Sequence, residues 1–298
     1  MTIKNWFLTA RLAFLVLIMV LLTNSLGRTQ PITQLYVFGD SLSDAGMVFQ
    51  STGGMYPPSS TYFQGRYSNG RVWIEYLADR LHLNSKQTNN FAYGGATTGN
   101  LSSSYVPSLL TQVQSFTQTH QKANQNALYV VWAGANDYLQ GVNNSTYPVE
   151  NVTTAIASLT NVGAKKILVG NLPDLGKLPA TSTNNNAVQL SALTQTHNQS
   201  LRRSLKVLTQ QHSDLEIVTL DAHKLYQEAI NHPSAFGLSN VTSACLASSQ
   251  AACSNPDKFL FWDGIHPTTT AHQIIADTAF AALTEAGIIQ RPEISHQG

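Results

Sequence analysis

The chain has 298 residues, with 17 basic and 16 acidic side chains and a formal charge of +1. That near balance leaves no electrostatic footprint for nucleic acid, and no nucleic-acid partner is expected. Only 11% of residues are charged, so the surface is expected to be polar but neutral.

The N-terminus reads as an export signal. Lys4 and Arg11 flank the start of the apolar run Leu12 to Leu22, which is short for a bilayer span and right for a signal-peptide core. Ser25 and Gly27 then stand at the −3 and −1 positions of a cleavage site. Residues 1–27 are expected to be a signal peptide, making the protein secreted (extracellular or periplasmic). Removing Lys4 and Arg11 leaves 15 − 16 = −1. The remaining 28–298 suffice for one α/β domain with a full core.

Gln34 to Phe38 is the first predicted strand, and it breaks at Gly39-Asp40-Ser41. A serine at such a break is either a helix N-cap or a nucleophile at the carboxyl edge of a sheet. Residues 47–66 lack periodicity and carry Phe49, Tyr56, Tyr62 and Phe63. They form a long loop, read either as a lid or pocket wall or as a self-packed surface loop. Ser68-Asn69-Gly70 is expected to open a helix running to Leu81, with Trp73, Tyr76, Leu77 and Leu81 on one face. A short apolar step then enters the pair Gly94-Gly95, and helical text follows over 107–120.

Ala127 to Ala133 is continuously apolar, as in a buried parallel strand. Val149, Val152, Ile156, Leu159 and Val162 make a helical stripe that stops at Gly163. A strand over 166–170, a helix over 187–209, a strand over 215–220 and a last helix over 269–286 complete the pattern. On the 187–209 helix His197 faces inward and reads as a packed core histidine. Strands alternating with helices predict a parallel sheet covered on both faces.

Cys245 and Cys253 are the only cysteines. In an exported chain two close cysteines predict a disulfide, with two buried thiols as the alternative. No metal-binding motif such as H-E-x-x-H or an EF-hand loop occurs, and neither metal nor cofactor is expected.

Four breaks carry polar chemistry: Gly39-Asp40-Ser41, Gly94-Gly95, Gly134-Ala135-Asn136-Asp137 and Asp263-Gly264-Ile265-His266. In a doubly wound sheet the carboxyl ends of the strands share one edge, so all four can converge. Acyl transfer needs a nucleophile, a base, a group to orient the base, and donors for the oxyanion. Ser41 can be the nucleophile and His266 the base. Pro267 disfavours helical backbone at His266, which leaves the imidazole on a loop. Asp263, three residues earlier, can curl back to its Nδ1–H and fix the tautomer. The N–H groups of Ser41 and Gly95 and the side-chain amide of Asn136 are candidate oxyanion donors, with Gly94 the alternative to Gly95. Asp40 is expected to brace the turn through hydrogen bonds.

At these residues the chain closely resembles the GDSL, or SGNH, hydrolase family. Gly39 to Gly46 is similar to its first block, Asn90 to Ala96 to its second, Gly134 to Asp137 to its third, and Asp263 to Pro267 to its last. Ser68 to Trp73 and Asn171 to Gly176 are further similar stretches. The resemblance implies a three-layer α/β/α sandwich with a flavodoxin-like parallel sheet of about five strands. It also implies a single catalytic domain over 28–298 and ester hydrolysis through an acyl-Ser41, without metal. The catalytic residues would be Ser41, Asp263 and His266, and the oxyanion hole Ser41, Gly95 and Asn136. Cys245, Cys253 and Phe261-Trp262-Asp263 look most like the secreted phospholipase, lecithinase and hemolysin branch. The expected substrate is a small-molecule or lipid ester, reached through transient contact with a membrane surface by a monomer. Acyl transfer to another alcohol and carbohydrate O-deacetylation use the same residues and are the enzymatic alternatives. A non-catalytic lipid- or glycan-binding relative should have lost one of these groups, and none is missing.

Overall fold

The computed structural model describes residues 30–99, 106–246 and 251–290. The expected signal peptide lies outside the described residues.

The first strand, β1 (Gln34–Gly39), shows how the sequence builds the layers. Successive side chains on a strand point to opposite faces. Leu35 and Val37 enter one hydrophobic cluster, and Tyr36 and Phe38 enter another. The same alternation holds in β3 (Ala127–Trp132), every residue of which is buried. Burying one such large apolar side chain contributes about 1.5–3 kcal/mol. With β2 (Thr88–Asn90), β4 (Lys166–Gly170) and β5 (Glu216–Leu220) these strands form one sheet in the order β2-β1-β3-β4-β5. Every pairing in it is parallel.

Numbered among the described residues, the helices are α1 (Met47–Ser51), α2 (Trp73–Arg80), α3 (Leu109–Thr119), α4 (Ala135–Leu139), α5 (Thr146–Asn161), α6 (Ala187–Gln211), α7 (Ala222–Asn231) and α8 (Thr269–Glu285). One face of the sheet packs against Trp73 and Leu77 of α2, Leu225 of α7, and Ile275 and Ala279 of α8. The other packs against Phe116 of α3, Ile156 of α5 and Leu201 of α6. This is the expected three-layer sandwich. The strand order reverses direction between β1 and β3, and ligands bind outside the carboxyl ends of strands at such a switch.

Three features depart from the sequence reading: one expectation is corrected and two elements had not been read. The helix after Ser68 starts only at Trp73. The Ser68 hydroxyl donates to Pro267 O (2.9 Å), and Asn69 Oδ1 accepts from Thr269 N (2.8 Å). Those two side chains hold the segment that follows His266 instead of opening α2. Second, the polar triplet Thr88-Asn89-Asn90 is an edge strand, invisible to hydrophobic patterning because neither face is apolar. Third, β6 (Asn240–Ala244) and β7 (Phe259–Phe261) make a separate two-stranded sheet that was not anticipated. The Sγ atoms of Cys245 and Cys253 are bonded at 2.02 Å beside that sheet. No helix among the described residues is long and apolar enough to cross a membrane.

Candidate active site

Sterics end β1 where the chemistry begins. A Cβ on Gly39 would overlap the carbonyl oxygen of Trp132 on β3, so only glycine fits. Gln112 of α3 continues the pairing: its Oε1 accepts from Gly39 N and its Nε2 donates to Gly39 O, both at 2.9 Å. The chain then turns through Asp40-Ser41-Leu42. Asp40 is buried, and its Oδ1 accepts from Leu42 N at 3.1 Å. Burial pushes its carboxyl up to about 7, against the pull of the Leu42 N–H and the His266 charge.

Ser41 caps no helix. The residue that does so is Asp44, whose carboxylate accepts from the N–H groups of Gly46, Met47 and Val48 at the start of α1. The serine hydroxyl lies 2.8 Å from His266 Nε2 instead. His266 Nδ1 lies 2.7 Å from Asp263 Oδ2, while Asp263 Oδ1 accepts from His266 N (2.7 Å) and Ile265 N (2.8 Å). Burial would raise the Asp263 carboxyl. The His266 charge and hydrogen bond, together with these two backbone donors, outweigh it and bring it down to about 2. The carboxylate stays ionised and holds the Nδ1–H tautomer, which leaves Nε2 free to accept the serine proton.

The glycine pair divides its labour. Gly94 N donates to Asp44 Oδ2 at 2.9 Å, and a Cβ there would collide with the Tyr67 ring. Gly95 adopts φ +81°, the left-handed region that favours glycine. Among the described residues neither Gly95 N nor Ser41 N donates to a protein acceptor. Asn136 Nδ2 donates to Ala96 O at 2.9 Å, which sets its amide beside the glycine turn with one N–H to spare. Buried Asp137 draws the same loop in, accepting from Thr98 N (2.9 Å) and Thr98 Oγ1 (2.6 Å).

Beyond Ser41 and Asn136 a narrow crevice is walled by Leu139, Leu172, Leu175, Leu178, Tyr226 and Ile265. It gives an ester an apolar wall beside the serine. The Tyr67 ring lies 5.1 Å from the imidazole, centre to centre. His197 is not part of the relay: it packs behind Gly134, fully buried, with Nδ1 2.8 Å from the Tyr138 hydroxyl. Burial lowers its pKa to about 4, so it stays neutral. Sequence reasoning missed Asp44, Asp137, Gln112 and Tyr67 as supports, since the contacts that matter for Asp137, Gln112 and Tyr67, and the bond from Gly94 N to Asp44, join distant chain segments without a local pattern.

A sequence model described as GDSL-like Lipase/Acylhydrolase matches residues 35–279. The chain is 29% identical to the phosphatidylcholine-sterol acyltransferase of Aeromonas hydrophila, over 93% of this chain and 96% of that protein. It is 28% identical to the thermolabile hemolysin of Vibrio parahaemolyticus over 83% of its own length, and spans 62% of that longer relative. Among solved structures, a GDSL-like lipase from Parabacteroides merdae superimposes with a TM-score of 0.52 at 13% identity. That match covers 87% of this chain and 97% of the other, and it supports the fold. The chain belongs to the GDSL-like lipase/acylhydrolase family, and with it to the carboxylic ester hydrolases.

Proposed function

We propose that Ser41, His266 and Asp263 are the catalytic triad of a secreted esterase or lipase, working in one domain over 28–298. The observation that carries this reading is the unbroken relay from Ser41 Oγ to His266 Nε2 and from His266 Nδ1 to Asp263 Oδ2, at 2.8 and 2.7 Å. His266 takes the serine proton as Oγ attacks the ester carbonyl, and Asp263 stabilises the imidazolium. Ser41 N–H, Gly95 N–H and the Asn136 amide receive the oxyanion. Collapse of the tetrahedral intermediate expels the alcohol, protonated by His266, and leaves an acyl-Ser41 that water then hydrolyses by the same route. The leucine-rich crevice favours an apolar acyl group beside the serine. Ser41→Ala should lower kcat on a p-nitrophenyl ester series by about 10⁴-fold or more while the protein stays folded. Full turnover in that variant would overturn the triad.

The near full-length match to an acyltransferase favours a second reading, in which an alcohol replaces water in deacylation. Incubation with phosphatidylcholine and a sterol separates them: sterol ester among the products supports transfer, and free fatty acid alone supports hydrolysis. Secretion rests on the signal-like residues 1–27. Mature exported protein still starting at Met1 would refute a cleaved signal peptide.

A further inference from the structure

We propose that Tyr62 is a positioning residue for the hydrolytic relay: it donates to the same oxygen of Asp263 that faces the His266 imidazole. This rests on the triad reading above. The Tyr62 hydroxyl lies 2.7 Å from Asp263 Oδ2, across 201 residues of sequence, and His266 Nδ1 lies 2.7 Å from the same atom.

The tyrosine is held from several directions. Its N–H donates to Pro58 O, and the next residue's N–H donates to Ser68 O. Its ring lies 6.3 Å from that of Tyr67, which itself packs on the imidazole. Arg66, at the end of the same loop, is forked onto Glu75 of α2 through Nη2–Oε1 (2.7 Å) and Nε–Oε2 (3.2 Å). Burial and the Asp263 charge hold the Tyr62 phenol above its ordinary range. It therefore remains a donor wherever the enzyme works.

The chemistry of a shared acceptor follows. The two backbone donors occupy Asp263 Oδ1 and fix that end of the carboxylate. Oδ2 would otherwise be set by the imidazole alone. A second donor there fixes the carboxylate's rotation and draws off part of its negative charge, tempering its pull on the imidazolium. The seating of the aromatic loop is thereby tied to the base.

Other titratable groups facing the pair are Asp40 after the end of β1, whose carboxyl is pushed up to about 7 mainly by burial, and His272 of α8, which burial keeps neutral. Tyr56 within the loop and Tyr67 just after it face Tyr62. None of these is altered when only the Tyr62 hydroxyl is removed.

Tyr62→Phe tests the proposal, with kcat and KM for p-nitrophenyl butyrate followed across pH. The ring and its packing remain, so KM should change less than about twofold while kcat falls about 5- to 20-fold. The acid limb of kcat/KM should move up by about 0.5–1 pH unit, because a carboxylate with one donor fewer holds the protonated imidazole more tightly. The Nδ1–H proton resonance should move downfield. An acid limb that stays in place overturns the proposal, whatever the loss in rate, since damage to the loop alone would not move it. Should Tyr62→Phe fail to fold, 3-fluorotyrosine placed at 62 keeps the hydroxyl and makes it a stronger donor. The limb should then move down, and an unmoved limb again refutes the idea. Asp263→Asn separates the two levels. Full activity there would sink the triad reading and this proposal with it. A large loss there, beside an unmoved limb in Tyr62→Phe, would sink the positioning role alone.

Discussion

At the scale of single residues, two carboxylates near one imidazole are driven in opposite directions, to about 7 for Asp40 and about 2 for Asp263. Asp263 gains stability from ionisation: the gain is full above the ordinary 3.8 and is lost as pH falls through 2, about 2 kcal/mol in all. Asp40 has the reverse sign. Its folded form holds the proton more tightly than the unfolded chain does. Stability therefore falls as pH rises from 3.8 to 7, by about 4 kcal/mol. Asp40→Asn cannot ionise and keeps an acceptor for Leu42 N. Urea unfolding at pH 4.5 and 8.5 should show the variant gaining on the parent by several kcal/mol at the higher pH. An equal difference at both values would mean that Asp40 does not titrate in this range. Ser41, Asp263 and His266 were legible because each has a chemical type suited to one role and stands at a break in the pattern. Tyr62 was legible only as one aromatic in a loop, because its partner is 201 residues away.

Among the elements, the regular ones were read well because burial repeats along them. Strand β4 was expected at its observed residues, and α6 within two residues of its end. What escaped was polar side chains spent on a distant segment. Ser68 and Asn69 looked like a helix start and instead clasp the residues after His266. Helix α7 carries a buried face of Ala222, Leu225, Tyr226 and Ala229, and it was not identified. Asp44 is the joint between two elements: one carboxylate caps α1 and also holds the Gly94 N–H. Asp44→Ala should leave those donors without an acceptor, costing about 2–4 kcal/mol of stability. It should also free the turn that carries the Gly95 N–H, so kcat should fall by roughly 10- to 100-fold, less than the roughly 10²–10³-fold of losing an oxyanion donor outright, because the N–H is displaced and not removed. Thermal unfolding and kcat measured together test this; lost stability with kcat intact would show that Asp44 serves α1 alone.

Across the whole molecule, the parallel sheet places the serine at its carboxyl edge, but the proposed base, His266, arrives from outside the sheet. The segment bearing Asp263 and His266 follows β7, whose position depends on a different support. Cys245 N donates to Phe261 O and Leu246 N to Trp262 O, just before Asp263. The Cys245–Cys253 disulfide therefore closes a small loop against the strand that delivers the base. A loop of that length stabilises by about 2–3 kcal/mol through the entropy removed from the unfolded chain. In a protein of this size that corresponds to about 4–6 °C in Tm. Replacing both cysteines by serine should lower Tm by that amount and shorten the half-life of activity on heating. Turnover at 25 °C should change little, since hydrogen bonds still hold the strand. Calorimetry of parent and double variant, each with and without reductant, provides the test. The parent should fall toward the variant when reduced, and the variant should not respond. Equal Tm values would show that backbone pairing alone fixes the base, and a collapse of turnover at 25 °C would make the disulfide part of the site's geometry as well as its stability.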